Sequence, residues 1–313
     1  MITYISRRLG SGLVLIFVVT AITFFLTYGA NLPVARNILG PSAGQNQIDA
    51  LNAQLGLDRP IFEQYISWLT GVFRGDFGTS YYSSEPVVEA MAARLPVTLS
   101  VVVVAALLTL LVSIVLGVAS AAKRGPLDVV LQSISTVAFV FPAIVLGIVL
   151  VFVFAITLRW VPAIGFVEFT ESPGGWFASV ILPAVVLSIG GIAALASQIR
   201  GSLIDELSKD YVRTLRSRGT SETAILLKHA LRNAAGPALT TFSLQFITMF
   251  GAALFVESIF ALPGYGNYAF QATIQGDLPV MLGVILFSVI LVVIVNLIVD
   301  LANGWLNPKV RVS

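Results

Sequence analysis

The chain has 313 residues, of which 57% are hydrophobic and only 11% charged, and its mean hydropathy is +0.93. Soluble domains average roughly 45–50% apolar and about 25% charged residues, so this composition excludes an ordinary soluble fold and indicates a chain that lies in the lipid bilayer. The net charge of +2 gives no sign of nucleic-acid binding, the lack of cysteine excludes disulfides, and the single histidine excludes a multi-histidine metal cluster.

Six segments are apolar over the roughly 20 residues that a membrane-spanning helix needs: residues 9–28, 97–119, 129–156, 177–196, 237–258 and 280–302. The first is longer than the core of a signal peptide and no clear cleavage site follows it, so we expect it to remain as the first helix. Pro142 predicts a kink in the third segment, and Pro183 lies near the start of the fourth. We expect Pro237 to begin the fifth, where its missing N–H costs little, and Gly190 and Gly191 to allow close helix packing.

The orientation of these spans follows from the basic residues, which concentrate on the cytoplasmic side of membrane proteins. Thirteen of the 18 Lys and Arg residues fall on one side of the six-span topology, and the five on the other side are Arg36, Arg59, Arg74, Arg94 and Arg159. Both termini are therefore predicted to be cytoplasmic, and residues 30–96 extracytoplasmic.

Residues 30–96, called the long loop below, are too many for a simple connection between two spans. They contain two sets of apolar residues at helical spacing, which are Ile48, Leu51 and Leu55, and then Ile61, Tyr65, Trp68 and Val72. We predict two amphipathic helices here. They form either a packed lid on the helix bundle or a surface that contacts a partner or substrate.

Residues 200–236, called the polar segment below, carry most of the charge between the later spans. Tyr211, Val212 and Leu215 give one short helical face, which Gly219 is expected to end as a left-handed residue. Ser221 is a candidate N-cap for a second helix, whose predicted apolar face contains Ala224, Leu227, Ala230 and Leu231. Two short helices at a glycine corner would suit the docking of a cytoplasmic protein, whereas charge alone is also typical of an ordinary basic loop.

The sequence gives no indication of a catalytic site, a nucleotide-binding loop or a proton relay. The sequence has no Gly-x-x-x-x-Gly-Lys-Ser/Thr phosphate loop and no His-Glu-x-x-His motif, and no acid, base and nucleophile stand in an evident arrangement. The spans are nearly free of charge, since Glu257 and Asp300 lie towards span ends and Arg159 lies just beyond the third span. A proton relay inside the membrane would need such residues at mid-span, so the energy for any transport is expected to come from another subunit.

The polar segment also carries a family resemblance. Its run from Asp210 to Gly219, followed by Leu227 to Ala234 and Pro237, resembles the "EAA" loop of bacterial ABC importer permeases, and its opening Asp-Tyr-Val-Arg-Thr is similar to the dipeptide/oligopeptide branch. Further matches in order are residues 4–9, 55–60, 74–80, 86–87, 94–99, 256–260, 263–266, 296–300 and 307–311. One departure follows the first span, where Gly-Ala-Asn-Leu-Pro stands at 29–33 and many members carry Gly-Asp-Pro.

The resemblance implies an all-α integral membrane protein of type I ABC importer permease architecture. Its parts would be a first helix (residues 1–29), an extracytoplasmic helical segment (30–96), and a five-helix core (97–313) with the coupling loop at 200–236. The chain would be a non-catalytic subunit in the bacterial cytoplasmic membrane and form half of a pathway for di- or oligopeptides. The partners implied are a homologous second permease, two cytoplasmic ATPases and an extracytoplasmic binding protein. Any ATP and Mg²⁺ would be bound by the ATPases, with no cofactor in this chain.

The resemblance also implies two sets of site residues. The ATPase-coupling set is Asp210, Tyr211, Arg213, Thr214, Arg216, Arg218, Gly219, Glu222, His229, Arg232 and Asn233. The set at a gate or outer mouth is Glu257, Phe260, Pro263 and Gly264.

The residues leave alternatives open for several of these roles. Arg213, Arg216 and Arg218 either pair with ATPase carboxylates or only enforce topology, and Asp210 and Glu222 are either partner contacts or helix caps. His229 is expected to be a packed helix residue, and Glu257 either braces the gate or is a simple interfacial carboxylate. Alternative solutes are nickel chelates, glutathione and short oligosaccharides, and the alternative class is a stand-alone secondary transporter.

Overall fold

A computed structural model describes residues 2–29, 33–122, 125, 128–130, 133 and 142–306. The regular structure of these residues is helical, and their β pairing is limited to an isolated bridge between Thr79 and Pro86. The predicted all-α class is therefore confirmed.

Twelve α-helices can be followed along the described part of the chain. In order they are α1 (Ile2–Gly29), α2 (Val34–Leu39), α3 (Gln45–Leu55), α4 (Ile61–Phe73), α5 (Val87–Ala122), α6 (Ala143–Leu150), α7 (Pro173–Leu207), α8 (Asp210–Ser217), α9 (Glu222–Ala224), α10 (Leu231–Ile259), α11 (Tyr265–Gln275) and α12 (Leu278–Leu306). A π-helical stretch, Val151–Thr157, continues α6, and a second one, Ile225–Ala230, joins α9 to α10.

Five helical stretches of the described chain are long and apolar enough to cross a membrane. These are Gly10–Gly29, Val87–Ala122, Pro173–Leu207, Glu222–Ile259 and Leu278–Gly304, and they contain five of the predicted spans. The second half of the predicted third span is a shorter apolar helix, Ile144–Thr157. Part of its first half lies outside the described residues, as does the chain just before Pro142, so the predicted kink stays a prediction.

The expected helix start at Pro237 is wrong. Pro237 lies inside α10, which begins at Leu231 and continues the π-helical stretch before it. A proline inside a helix removes one backbone hydrogen bond, but Ala230 and Ala234 are buried in the preceding turns. Packing of that face therefore outweighs the local cost, and Pro96 and Pro183 are likewise enclosed in α5 and α7.

The chain divides into two compact units. Unit one comprises Thr98–Pro263 and Val295–Ser313, and unit two comprises Ile2–Val97 and Gly264–Ile294.

The core of unit one is built on close approaches between α5, α7 and α10. A Cβ at Gly117 would lie 2.8 Å from the Ile199 side chain and 2.9 Å from the Ala196 carbonyl oxygen, and one at Gly191 would lie 2.5 Å from Met249 Cε. Glycines let helices come together in this way. The packing role expected of Gly191 is thus confirmed, whereas Gly190 faces open space and has no such role.

The core of unit two joins α1 and α12 to the long loop. Phe24, Tyr65 and Leu282 are buried together, and the Phe24 and Tyr65 rings meet edge to face at 5.1 Å. The two amphipathic helices predicted in the long loop are α3 and α4, whose faces turn Ile48 and Tyr65 inward. The short helix α2 was not predicted.

Candidate functional site

Helix α8 opens the polar segment and is anchored by a single apolar face. Val212 is fully buried, Tyr211 and Leu215 are half-buried, and the remaining side chains of the helix are exposed. Lys209 occupies the N-cap position and Asp210 lies in the first turn, where its charge favours the positive end of the helix dipole. The predicted face is confirmed, and the exposed remainder presents charge to solvent.

Gly219 ends this helix in the conformation that the sequence predicts. Its φ is +77°, and two backbone bonds close the turn, from Gly219 N to Arg216 O (2.9 Å) and from Thr220 N to Leu215 O (3.1 Å). This pair of bonds is the Schellman motif, in which a left-handed residue satisfies the last carbonyls of a helix. The corner is therefore set by backbone geometry at one glycine.

The next helix begins at the predicted cap and is linked back across the corner. Ser221 Oγ accepts a hydrogen bond from Ala224 N (3.4 Å). Arg216 donates to both carboxylate oxygens of Glu222, at 2.7 Å and 3.0 Å, which raises the pKa of Arg216. Because 46% of the Arg216 side chain and 68% of that of Glu222 are exposed, this pair adds little stability on its own.

The apolar face predicted after Ser221 is partly wrong. Leu227 is 52% exposed, whereas Ile225 and Ala230 are fully buried. The reason is the π-helical stretch Ile225–Ala230, which holds more residues per turn than an α-helix and so rotates the buried face. His229, in the same stretch, is half-buried, as expected of a packed helix residue.

Most of the remaining charges of the polar segment are open to solvent. Arg213 and Asp210 are 3.5 Å apart with 79% and 95% of their side chains exposed, and Arg218 and Arg232 are exposed as well. Neither Asp210 nor Glu222 is an N-cap, because Lys209 and Ser221 hold those positions. Two further members of the predicted set form bonds within the segment, from Thr214 Oγ1 to Asp210 O (3.2 Å) and from Asn233 Nδ2 to Tyr211 Oη (3.3 Å).

The polar segment is tied to the spans of unit one on both sides. Only two residues separate the end of α7 at Leu207 from the start of α8 at Asp210. A buried cluster joins the helices on either side of α8: Ala121, Leu195, Ile199, Leu203, Ala230 and Ala234. The helices that flank α8 in the chain are therefore packed together in the core of unit one.

An ion pair that the sequence did not reveal adds to this anchor. Arg200 in α7 forms two hydrogen bonds with the Asp128 carboxylate, one of them from Nε at 2.6 Å, and Ser120 in α5 donates to the same carboxylate. Paired arginine–carboxylate bonds fix orientation as well as distance. Sequence reasoning counted Arg200 only as a topological charge, because its partner lies 72 residues away.

Glu257 is buried rather than exposed at an interface. Its side chain has 0% exposure and accepts a hydrogen bond from the Thr98 hydroxyl. Phe260, just after α10, is 2% exposed, and its carbonyl accepts a hydrogen bond from Gly165 N at 3.1 Å. The interfacial alternative for Glu257 is therefore wrong, and the carboxylate fixes the end of α10 to the start of the apolar part of α5.

The other two residues of the predicted mouth belong to different units. Pro263 is exposed at the end of unit one, whereas Gly264 is buried in unit two as the N-cap of α11.

The sequence contains one match to a motif of serine nucleophiles, and the surrounding structure shows whether Ser42 can act as one. Residues 40–44 read Gly-Pro-Ser-Ala-Gly and so match Gly-x-Ser-x-Gly, which forms a nucleophile elbow only between a strand and a helix. Here the pattern lies in a turn between α2 and α3, closed by a bond from Ala43 N to Gly40 O at 3.2 Å. Ser42 therefore lacks the backbone setting of a catalytic serine.

A second buried carboxylate, Asp277, lies in unit two. Asp277 is 2% exposed and accepts hydrogen bonds from Ser80 Oγ (2.5 Å) and Tyr81 N (3.2 Å). It also accepts from Val280 N in the first turn of α12, while its burial raises the pKa of Asp277. We call Ser80, Tyr81 and Asp277 the Asp277 clamp, since they fasten the long loop to the start of α12.

Comparison with known proteins gives consistent matches along the whole chain. The family described as "Binding-protein-dependent transport system inner membrane component" matches residues 113–312, and the N-terminal model of such membrane components matches residues 1–102. A Brucella abortus protein named a putative peptide transport system permease is 36% identical over 99% of both chains. The Escherichia coli K12 protein named glutathione transport system permease GsiC is 33% identical over 99% of both.

A solved structure supports the fold. A chain of the MetNI methionine ABC transporter, in an inward-facing conformation, aligns with a TM-score of 0.59 at 18% identity, covering 72% of this chain and 99% of that one.

Proposed function

This chain belongs to the family of inner membrane components of binding-protein-dependent transport systems, and we propose that it forms half of a translocation pathway for di- and oligopeptides. Membership makes it a multi-pass permease subunit of an ABC importer. Support for a peptide solute comes from relatives named for peptide transport, at 36% identity in Brucella abortus and 35% in Sinorhizobium fredii. The observation that carries the proposed mechanism is the exposed corner at Gly219.

The corner has the properties of a docking element for a separate ATPase. Arg213 and Arg218 present exposed charge on or next to α8, and Leu227 presents an exposed apolar side chain on the following turn. The helix backbone is fixed at its end by the Schellman bonds of Gly219. A rigid, charged helix of this kind can be gripped by a partner without first having to be ordered.

The energy of transport would then enter through α8 and pass into the spans. The ATPases would hold ATP and Mg²⁺ and hydrolyse the nucleotide, while this chain would carry no cofactor of its own. ATP binding would favour one conformation of the paired permeases over the other, which is how differential binding shifts an equilibrium between two states. The buried cluster around Leu203 and Ala230 would carry the displacement into α7 and α10.

We extend the same proposal to the remaining partners and to the orientation of the chain in the membrane. A second permease, homologous to this chain, would complete the pathway, and a binding protein would deliver solute to the mouth near Glu257 and Phe260. Both termini and the polar segment would lie in the cytoplasm, since most Lys and Arg residues fall on that side.

A second solute class is favoured by one specific match. The permease named for glutathione transport is 33% identical over nearly the full length of this chain. Glutathione is itself a small peptide-like molecule with two carboxylates and one amine, so a pathway for short peptides would need little change to admit it.

The test is affinity purification of the tagged full-length chain from its native membrane in mild detergent. We expect a second permease and ATPase subunits to co-purify, and the ATPases to be lost when Gly219 is replaced by Pro and Arg213, Arg216 and Arg218 by Gln. The control replaces Arg74 of the long loop, which is exposed, by Gln and should keep the ATPases. A chain that purifies alone and moves solute into liposomes without ATP would contradict the proposal.

A further inference from the structure

A polar pocket lies inside unit two, between the end of α1, the short helices α2 and α3, and the start of α4. Its volume is about 460 Å³, which is within the range of about 300–1,000 Å³ typical of small-molecule sites. Its lining contains two arginines, Arg36 and Arg59, and no acidic residue. Asn52 adds a side-chain amide that can donate hydrogen bonds, whereas Gln45 Nε2 already donates to Asp49 Oδ1 (2.8 Å) and Gln64 Nε2 to the Arg59 carbonyl (2.7 Å). The pocket therefore suits an anion.

The two arginines are available to a ligand. Within the described part of the chain, neither Arg36 nor Arg59 forms an ion pair. Gln64 Nε2 donates to the Arg59 carbonyl at 2.7 Å and so fixes the backbone at that position. Gly56, with φ +70°, lies against the side chain of Arg59, where a Cβ would be 3.5 Å from Nε. The backbone of Arg59 is thus fixed by Gln64, while its exposed guanidinium forms no ion pair with the described residues.

The pocket is lined by the ends of two candidate membrane spans. Gly29, the last residue of the first span, and Leu278, the first residue of the last span, both contribute to its lining. Ile61 lines the pocket and also packs against the aromatic cluster that includes Tyr65 and Trp68. Tyrosine and tryptophan are enriched at the boundary between hydrocarbon and headgroups.

Helix α4 beside the pocket carries an outward apolar stripe. Phe62, Ile66 and Phe73 are 70%, 56% and 83% exposed and share one face of the helix. The neighbouring face packs inward through Tyr65, and the Phe62 ring also lies 5.3 Å from the Phe25 ring of α1. A helix with one face on the protein and a second apolar face exposed, at the level of a span end, matches the pattern of a helix that lies in the headgroup region.

We propose that this pocket binds the headgroup phosphate of an anionic phospholipid. Arg36 and Arg59 hold the phosphate oxygens by charge-assisted hydrogen bonds, which arginine forms well with phosphate, and the acyl chains run along Phe62 and Ile66. The bound lipid fixes the long loop against the membrane surface. The site is independent of which solute is carried, so its failure would leave the transport proposal unchanged.

The experiment measures retention of phosphatidylglycerol by the full-length chain, purified with the subunits that accompany it. After delipidation in detergent, native mass spectrometry counts bound phosphatidylglycerol, and titration of dihexanoyl phosphatidylglycerol gives an affinity from the shift in thermal midpoint. We expect the Arg36→Gln/Arg59→Gln variant to bind at least about tenfold more weakly, the loss expected for removing a hydrogen bond between charged groups. Asn52→Asp, which adds a carboxylate of the same size to the lining, should weaken binding as well.

Two controls separate this site from general attraction of lipid to a basic surface. Arg74→Gln removes an exposed arginine of the same loop that does not line the pocket and should leave the affinity unchanged. Dihexanoyl phosphatidylcholine should give no comparable shift. Equal phosphatidylglycerol retention by the double variant and the unchanged chain would overturn the proposal. A shift with inorganic phosphate as large as that with the lipid would also overturn it, since the ligand would then be a free anion.

Discussion

The polar segment and the Asp277 clamp both use carboxylates, but they place them in opposite surroundings. Asp210 and Glu222 lie on the surface in pairs with Arg213 and Arg216, whereas Asp277 is 2% exposed and collects hydroxyl and backbone donors. Exposed ion pairs cost little to exchange, while a buried carboxylate that loses its donors is expensive. The first arrangement leaves a surface free to change partners, and the second fixes a loop to a span.

Removing the buried carboxylate should have the largest effect on stability. Asp277→Ala leaves Ser80 Oγ and Tyr81 N buried without their acceptor and removes the cap at Val280 N. We expect the free energy of unfolding in detergent to fall by about 3 kcal/mol, the sum of one charged hydrogen bond and one unsatisfied buried donor. Glu89→Gln, at an exposed position of α5, is the control and should change it by less than about 0.5 kcal/mol. Equal effects of the two variants would show that the clamp contributes nothing.

The titration of Asp277 predicts in addition how the stability of the chain changes with pH. Burial raises the pKa of Asp277 above its ordinary value of 3.8, so the folded state binds the proton more tightly than the unfolded state. The stability contributed by the protonated form is complete below pH 3.8 and is lost as the pH rises through the folded-state value. The thermal midpoint of the unchanged chain should therefore decrease over that window more than that of Asp277→Asn, in which the group no longer titrates. Parallel profiles would contradict the assignment.

The two regions also differ in how far they could be predicted from the sequence. Helix α8, its end at Gly219 and the cap at Ser221 follow from residues close together in the chain, and the local turn chemistry decides them. The rotated face around Leu227 was missed because a π-helical stretch departs from the regular helical period that the prediction assumed. The bonds of Asp277 with Ser80, Glu257 with Thr98 and Asp128 with Arg200 link positions far apart in sequence, which no local pattern indicates.

A pair of glycines tests whether the corner depends on backbone conformation alone. A Cβ at either Gly219 or Gly201 would meet nothing within 4 Å, but only Gly219 has a positive φ, at +77°. Gly219→Ala should lower the free energy of unfolding by about 1 kcal/mol, whereas Gly201→Ala, inside α7, should raise it by up to about 1 kcal/mol. Chemical denaturation of both variants measures the difference. A gain in stability for Gly219→Ala together with a loss for Gly201→Ala, or no change at Gly219, would show that the Schellman turn does not set the corner.

The smallest effect is expected at the exposed pair of Arg216 and Glu222. Each single substitution to Gln should lower the free energy of unfolding only slightly, because both side chains are largely solvated. The exchanged variant, Arg216→Glu with Glu222→Arg, should restore that small loss, since the two charges still face each other across the corner.

ATP-driven uptake in proteoliposomes that contain all subunits distinguishes two roles of this pair. The pair either only maintains the structure of the corner or is also recognised by an ATPase through its charge. If the positive charge at position 216 is needed by an ATPase, the exchanged variant will be stable yet transport poorly, and this is the outcome we expect. Full uptake by the exchanged variant would mean that the pair only shapes the corner, and recognition would then rest on Arg213, Arg218 and Leu227. The comparison works because the turn at Gly219 keeps the backbone in place whichever way the charges point.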